Sequence, residues 1–315
     1  MMEFSNSLKK RFVQDHGLPI QVVQEPMYSY YIEQLDTQYD TKNKLKMLTD
    51  VVSELGSEEA FFAESNKVKD TLIKQISDTE EYASLQLDRL DDRIVDNGVK
   101  QQSIYHMGNI NRTFLSVDLK HANFNVLKMY DSRLVLGSDT YEEMIGSITT
   151  FDYFKKSKYL RQVIFGNVMP KKQQRLQKWV MSKVVDVLHR DVGIAMDDFV
   201  TSSSDEVVFN VDSKNVDMLV EMVNNKLTNN KLTEDIASWC NVDAFTLKSV
   251  GDQKFFVKEN CLDDSVVFKG VQSYLFMQVF KKYFELPLTD HDMVFYYEGH
   301  LAEFKDPVFP EEEEE

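Results

Sequence analysis

Cysteines and long apolar runs are scarce in this chain of 315 residues. Its only cysteines are Cys240 and Cys261, too few for a disulfide framework or a cysteine-based zinc site. No apolar run approaches the roughly 18–20 residues that span a bilayer, and the first residues, MMEFSNSLKKRFVQDHG, lack the charged-then-apolar pattern of a secretory leader. We therefore expect an intracellular protein, cytoplasmic or nuclear rather than secreted, that does not bind membranes.

Several familiar signatures are missing as well. The sequence has no glycine-rich phosphate loop and no nucleophile elbow, which argues against P-loop enzymes and α/β-hydrolases. No internal repeat period is visible, so a repeat array is not expected.

Positive charge is also in short supply. The formal net charge is −16, which argues against a generic nucleic-acid coat protein, because such proteins are basic. Residues 151–190 are the exception, with ten lysines and arginines against only two acids, Asp152 and Asp186. Two interpretations stay open: a solvated helix face, or a segment that binds the phosphates of a nucleic acid.

The chain nevertheless has the composition of a folded protein, with 43% hydrophobic and 12% aromatic residues. Residues 1–100 are predicted to form a helical N-terminal region, since 41–92 are rich in helix formers and Gly56 is placed as a helix C-cap. We expect this region to act as a thumb-like element or to bind protein partners.

From residue 113 the pattern changes to strands. Apolar residues from Phe114 onward predict a strand that ends at Asp118. A hairpin is predicted over 199–209, with Asp205 and Glu206 at or just after its turn.

Helices separate these strands, and a second hairpin is predicted to turn at Gly251-Asp252. This order predicts an α+β fold in which an antiparallel sheet carries helices on one face. We assign residues 101–305 to a palm-like (ferredoxin-like) domain and 306–315 to a disordered acidic tail.

In such a sheet the end of the first strand lies beside the hairpin turn, so Asp118 would face Asp205. Two carboxylates are the minimum needed to hold a pair of Mg²⁺ or Mn²⁺ ions, which keep open positions for substrate phosphates. Two such ions serve nucleotidyl transfer. The structural alternatives are a helix N-cap for Asp118 and plain turn positions for Asp205 and Glu206.

Three segments resemble the palm motifs of family A DNA polymerases, in the family's order. DLKHANFNVLKMY resembles the first motif, RQVIFGN is similar to the second, and SSSDEVVFNV is similar to the third. The resemblance implies that Asp118 and Asp205 are catalytic metal ligands and that Glu206 supports them.

The same resemblance implies contacts with a nucleoside triphosphate. Arg161 would contact the triphosphate and Phe165 would pack against the nucleotide. Lys158 is the nearest candidate for a further basic residue of the second motif. Asn123 stands where the family has a glutamate that excludes the ribose 2′-hydroxyl. The stretch from Arg161 to Asp205 is much shorter than in the family, so most of the fingers are missing.

Three classes of function follow. The first is a compact palm-type nucleotidyltransferase that acts on nucleoside triphosphates and binds DNA or another nucleic acid. The second is a nucleotide cyclase-like enzyme, since SSDEV also resembles the acidic turn of diguanylate cyclases, although their glycines are missing. The third is a non-catalytic palm-like interaction or accessory protein, for example of a virus.

Overall fold

The computed structural model describes residues 3–93, 96–211, 215–251, 254–263 and 265–309. Within these ranges the α-helices are α1 Asn6–His16, α2 Met27–Gln34, α3 Asp36–Tyr39, α4 Thr41–Leu55, α5 Glu58–Ser77, α6 Glu80–Leu87, α7 Ala122–Tyr130, α8 Tyr141–Gly146, α9 Asp152–Lys156, α10 Lys158–Gly166, α11 Pro170–Val187, α12 Val216–Asn229 and α13 Phe276–Tyr283. The strands there are β1 Thr113–Leu119, β2 Phe199–Ser202, β3 Glu206–Val211, β4 Cys240–Ser249, β5 Phe256–Asn260, β6 Val266–Lys269, β7 Val294–Tyr297 and β8 His300–Glu303.

Six of the strands form one antiparallel sheet in the order β2-β3-β1-β4-β5-β6, and β7 pairs with β8 in a separate hairpin. Helices α7 to α11 connect β1 to β2, and α12 connects β3 to β4. This β-α-β-β-α-β succession with β1 between β3 and β4 is the ferredoxin-like arrangement. The predicted α+β class is therefore confirmed.

The two faces of the sheet are covered differently, because side chains alternate along each strand. Leu115 and Val117 of β1 join the main hydrophobic core with the helices. Phe114 points to the other face and packs in a small cluster with Val208 and Phe245. The segment before β1 covers that cluster, and Ile104 lies within it. The part of this second face that the small cluster does not occupy can accommodate a functional site.

The helical N-terminal region packs directly on the rest of the chain. Phe12 of α1 and Phe61 of α5 belong to the same hydrophobic core as the sheet. The buried carboxylate of Asp15 accepts a hydrogen bond of 2.9 Å from the hydroxyl of Tyr153 in α9. Gly56 ends α4 with a φ of 88°, which agrees with the predicted C-cap. The assignment of residues 1–100 as a separate domain stays a prediction.

The structure describes residues 306–309 of the predicted tail 306–315. Val308 donates its backbone N–H to Oε1 of Gln278 at 2.8 Å, and Phe309 packs against Phe255. Residues 310–315 lie outside the described residues, as does Asp252 of the second predicted hairpin turn. That hairpin exists as the β4–β5 pair.

Across the described ranges, none of the helices is long and apolar enough to cross a lipid bilayer.

Candidate functional site

The end of β1 and the acidic hairpin turn lie side by side. Asp118 is paired in register with Glu206, and the N–H of Leu119 donates to the carbonyl oxygen of Asp205 at 2.8 Å. Directly opposed residues of an antiparallel pair share a face, with Cβ atoms roughly 4.5–5.5 Å apart. The antiparallel register therefore brings Asp118 to the Asp205-Glu206 turn.

Serine side chains shape this turn. Ser203 Oγ accepts hydrogen bonds from the N–H groups of Asp205 and Glu206, at 3.3 Å and 3.0 Å. The Ser203 hydroxyl also donates to Oδ1 of Asp205 at 3.0 Å. Asp205 is thus a structural turn residue, and its side chain does not line the cavity that contains Asp118 and Glu206. Its role as a metal ligand stays a prediction.

A cavity of about 180 Å³ opens on the face of the sheet opposite the helices. Its charged lining comes from Asp118, Glu206, Asp243, Lys258 and Lys269, which belong to five different strands. Pockets that enclose a drug-sized ligand measure roughly 300–1,000 Å³. The cavity is therefore large enough for ions and phosphate groups, whereas the rest of a nucleotide would extend into solvent.

The carboxylates in the cavity repel one another. Burial raises the pKa of Asp118 to about 6, and the negative charges of Glu206, Asp205 and Asp243 add to this rise. Burial also raises the pKa of Asp243. A divalent cation would reverse this unfavourable concentration of negative charge.

Two lysines partly offset the carboxylates. Lys258 Nζ lies 3.3 Å from Oε1 of Glu206 and 4.3 Å from the centre of the Phe245 ring. Its charge lowers the pKa of both Asp118 and Asp243. The pKa of Lys269 is itself lowered, first by burial and then by the positive charge of Lys258.

The residues of the second motif, Lys158, Arg161 and Phe165, do not line the cavity. Lys158 is exposed, and its side chain lies against Gly17 at the end of α1. Arg161 instead contacts His121, with 3.3 Å between Nη1 and Nδ1, and lies over the Tyr141 ring.

Two expected nucleotide contacts are occupied by protein. Phe165 is 0% exposed and packs in the core against Phe124 and Tyr141, so its ring presents no face to a ligand. This corrects the expectation that Phe165 packs against a nucleotide. Asn123 accepts a hydrogen bond of 2.6 Å from Gln177 through its side-chain oxygen, and it does not line the cavity.

Part of the basic segment 151–190 also serves the fold. Lys172 donates to the carbonyl oxygen of Asp88, and Lys183 lies 3.9 Å from the centre of the Trp179 ring. Lys155 pairs with Asp152 at 2.8 Å. Binding of nucleic acid by this segment stays a prediction.

The carboxylates near the turn are chemically suited to a hard cation whose remaining coordination positions are filled by substrate oxygens. Asp118, Asp205 and Glu206 supply only oxygen ligands, as Mg²⁺ and Mn²⁺ prefer. No group of three or more His, Cys, Asp or Glu side chains converges as a metal cluster in the part of the chain that the structure describes. Mg²⁺ commonly takes one or two protein carboxylates and fills its remaining positions with water and substrate phosphates, so these residues fit that mode.

Sequence reasoning missed Asp243, Lys258 and Lys269. Asp243 lies in a strand where polar and apolar residues alternate, which is the ordinary pattern of a sheet with one solvated face. Lys258 and Lys269 lie in the short strands FVKEN and VVFK, which carry no motif. Only the pairing of β4, β5 and β6 beyond β1 brings them to the acidic turn.

Comparison of the chain with protein-family models, with curated proteins and with solved structures gives no match. The function therefore has to be inferred from the residues of the site.

Proposed function

We propose that the protein is a metal-dependent nucleotidyltransferase of the palm type, which acts on nucleoside triphosphates. The observation that carries the proposal is the in-register pairing of Asp118 with the Asp205-Glu206 turn on the open face of a ferredoxin-like sheet. The pairing supports the proposal because it places the first and the third of the polymerase-like motifs side by side.

Asp118 and Asp205 would hold two Mg²⁺ or Mn²⁺ ions. Such ions, when bound, lower the pKa of the attacking hydroxyl and neutralise the charge that develops on the leaving oxygen. The new bond joins that hydroxyl oxygen to the α-phosphorus, and the bond to the β-phosphate breaks with release of pyrophosphate.

The protein's own residues prepare this site. Glu206 supports the two ligands from the same turn and is held by Lys258 at 3.3 Å. Asp118 has to lose its proton before it can bind a cation, so its pKa of about 6 makes the site dependent on pH.

We also propose binding partners and a cellular location for the protein. Nucleic acid would bind through the basic segment 151–190, and protein partners through the N-terminal helices. An intracellular location agrees with the two cysteines, since both Cys240 and Cys261 are free thiols.

Nucleotide incorporation tests the proposal. The wild type is incubated with Mg²⁺ or Mn²⁺, a labelled mixture of nucleoside triphosphates and, in parallel, single-stranded and primed DNA or RNA. We expect labelled polymer or extended primer, lost in Asp118→Asn and Asp205→Asn. Glu221→Gln, which changes an exposed carboxylate of α12, should retain activity.

The other two classes of function are outcomes of this test. A cyclic dinucleotide in place of a polymer would identify a cyclase. No product, together with no Mn²⁺ binding by titration calorimetry, would identify a non-catalytic palm-like protein and overturn the proposal.

A further inference from the structure

We infer that Lys258 and Lys269 form the subsite that binds the triphosphate of the nucleotide, a role that the polymerase resemblance assigns to Arg161. This inference rests on the proposed function for the identity of the ligand. The two lysines lie on adjacent strands, where Lys258 of β5 pairs with Val267 of β6, two residues before Lys269. Diagonal neighbours on adjacent strands lie on the same face of the sheet and are separated by about 7–8 Å. Both side chains therefore line the cavity that contains Asp118.

Contacts hold Lys258 inside the cavity. Its side chain is 14% exposed, and its ammonium group lies between Glu206 and the ring of Phe245. A buried ammonium group with a fixed position is a preformed donor for a phosphate oxygen, since little side-chain entropy remains to be lost on binding.

Lys269 is half-buried and forms no ion pair with the residues that the structure describes. Burial and the positive charge of Lys258 lower the pKa of Lys269, while the negative charges of Glu206 and Asp118 act in the opposite direction. A polyphosphate placed beside Lys269 would offset both the burial and the repulsion.

The neighbouring polar groups add to this arrangement. Asn260 and Ser265 also line the cavity, on the side of Lys258 away from Lys269, and each carries a hydrogen-bond donor. The carboxylates of Asp118 and Glu206 line the cavity from β1 and β3. The cavity thus has a cationic end for phosphates next to an anionic end for metal ions.

Arg161 is poorly placed for the same role. Its guanidinium group contacts His121 and the ring of Tyr141, and Arg161 does not line the cavity. Because most of the fingers are missing from this chain, the outer strands of the sheet take over the phosphate contacts.

Binding of tripolyphosphate, measured by titration calorimetry in EDTA, tests the subsite without metal or catalysis. Loss of a hydrogen bond to a charged group corresponds to roughly 10–100-fold in affinity. We expect that loss for Lys269→Gln and for Lys258→Gln, with partial recovery in Lys258→Arg. Lys248→Gln is the matched control, because Lys248 lies on β4 with its side chain on the opposite face.

Glu206→Gln tests whether Lys258 binds phosphate or only stabilises the fold. If the role of Lys258 were purely structural, this substitution would leave the affinity for tripolyphosphate unchanged. Glu206 competes with phosphate for Lys258, so its neutralisation should tighten tripolyphosphate binding several-fold. Circular dichroism of each variant, recorded with the titration, identifies any that fail to fold, and those are replaced by the methionine variant, which also removes the charge.

Two results would overturn the inference: a wild type that does not bind tripolyphosphate, or binding that depends on Arg161 and not on Lys269. Failure of this inference can be distinguished from failure of the proposed function. Nucleotide incorporation with an unchanged KM in Lys269→Gln would reject the subsite and keep the nucleotidyltransferase. Lysine-dependent tripolyphosphate binding without incorporation would keep the subsite and reject the nucleotidyltransferase.

Discussion

Asp118 should destabilise the folded protein when it is ionised. Its pKa is raised from 3.8 to about 6 by burial and by the neighbouring carboxylates, so the folded protein binds this proton more tightly than the unfolded chain. The stabilisation that the proton provides is fully present below about pH 4 and is lost as the pH rises through about 6. Asp118→Asn removes the titration and should therefore stabilise the protein at alkaline pH.

The size of the expected stability difference follows from the shift in the pKa of Asp118. About two pKa units correspond to about 3 kcal/mol at 1.36 kcal/mol per unit. Asp118 is only partly buried, so solvent screening reduces the expected gain to about 1–2 kcal/mol at pH 8. For a chain of 315 residues this is a rise in Tm of about 2–3 °C.

Urea denaturation of the wild type and Asp118→Asn at pH 8 and pH 4 measures this effect. We expect the variant to be more stable at pH 8 and nearly equal to the wild type at pH 4. Glu221→Gln, on the exposed side of α12, should show no such difference. An Asp118→Asn protein that is less stable than the wild type at pH 8, or a gap of equal size at pH 4, would refute the electrostatic reasoning.

Divalent cations should reverse the order of stability. Mn²⁺ or Mg²⁺ at 100 times its dissociation constant stabilises a protein by about 2.7 kcal/mol. We expect this gain for the wild type at pH 8, a smaller gain below pH 6 where the proton competes for Asp118, and little gain for Asp118→Asn.

Three further substitutions test other parts of the structure. Lys281→Met removes the ion-pair partner of buried Asp292, which lies at 2.7 Å, and leaves the carboxylate with hydrogen bonds from Tyr30 and Thr289; the free energy of unfolding in urea should fall by about 3–5 kcal/mol, and a loss under about 1 kcal/mol would contradict a buried ion pair. Gly251→Ala places a Cβ at 2.7 Å from Phe309 at a φ of +60° and should cost about 1–2 kcal/mol in the same assay, whereas an unchanged midpoint would mean that Phe309 does not pack there. Phe165→Ala should cost about 3–5 kcal/mol as a core residue, while a stable variant with weakened nucleotide binding would restore its expected ligand role.

Local sequence patterns predicted the elements around the acidic turn well. The apolar run from Phe114 predicted β1, and the hydroxyl-rich turn between two short apolar runs predicted the β2–β3 hairpin. Gly56 at the end of α4 was also predicted as a C-cap, because this preference belongs to a single residue.

Spacing alone could not separate exposed from buried residues in the second motif. Lys158 and Phe165 lie on the same short helix, yet Lys158 is exposed and Phe165 is fully buried. Which face of α10 meets the core depends on how that helix packs against α1 and α5, and these contacts are distant in sequence.

The sequence by itself determined the α+β class, the approximate limits of β1 and of the acidic hairpin, and the concentration of acids at one turn. Only the tertiary structure decided that Asp243, Lys258 and Lys269 face the same cavity as Asp118. The physical reason is register: a shift of one residue in the pairing of β4, β5 or β6 would move each of these side chains to the opposite face. That register depends on contacts between strands that are far apart in the chain, which no local pattern of residues encodes.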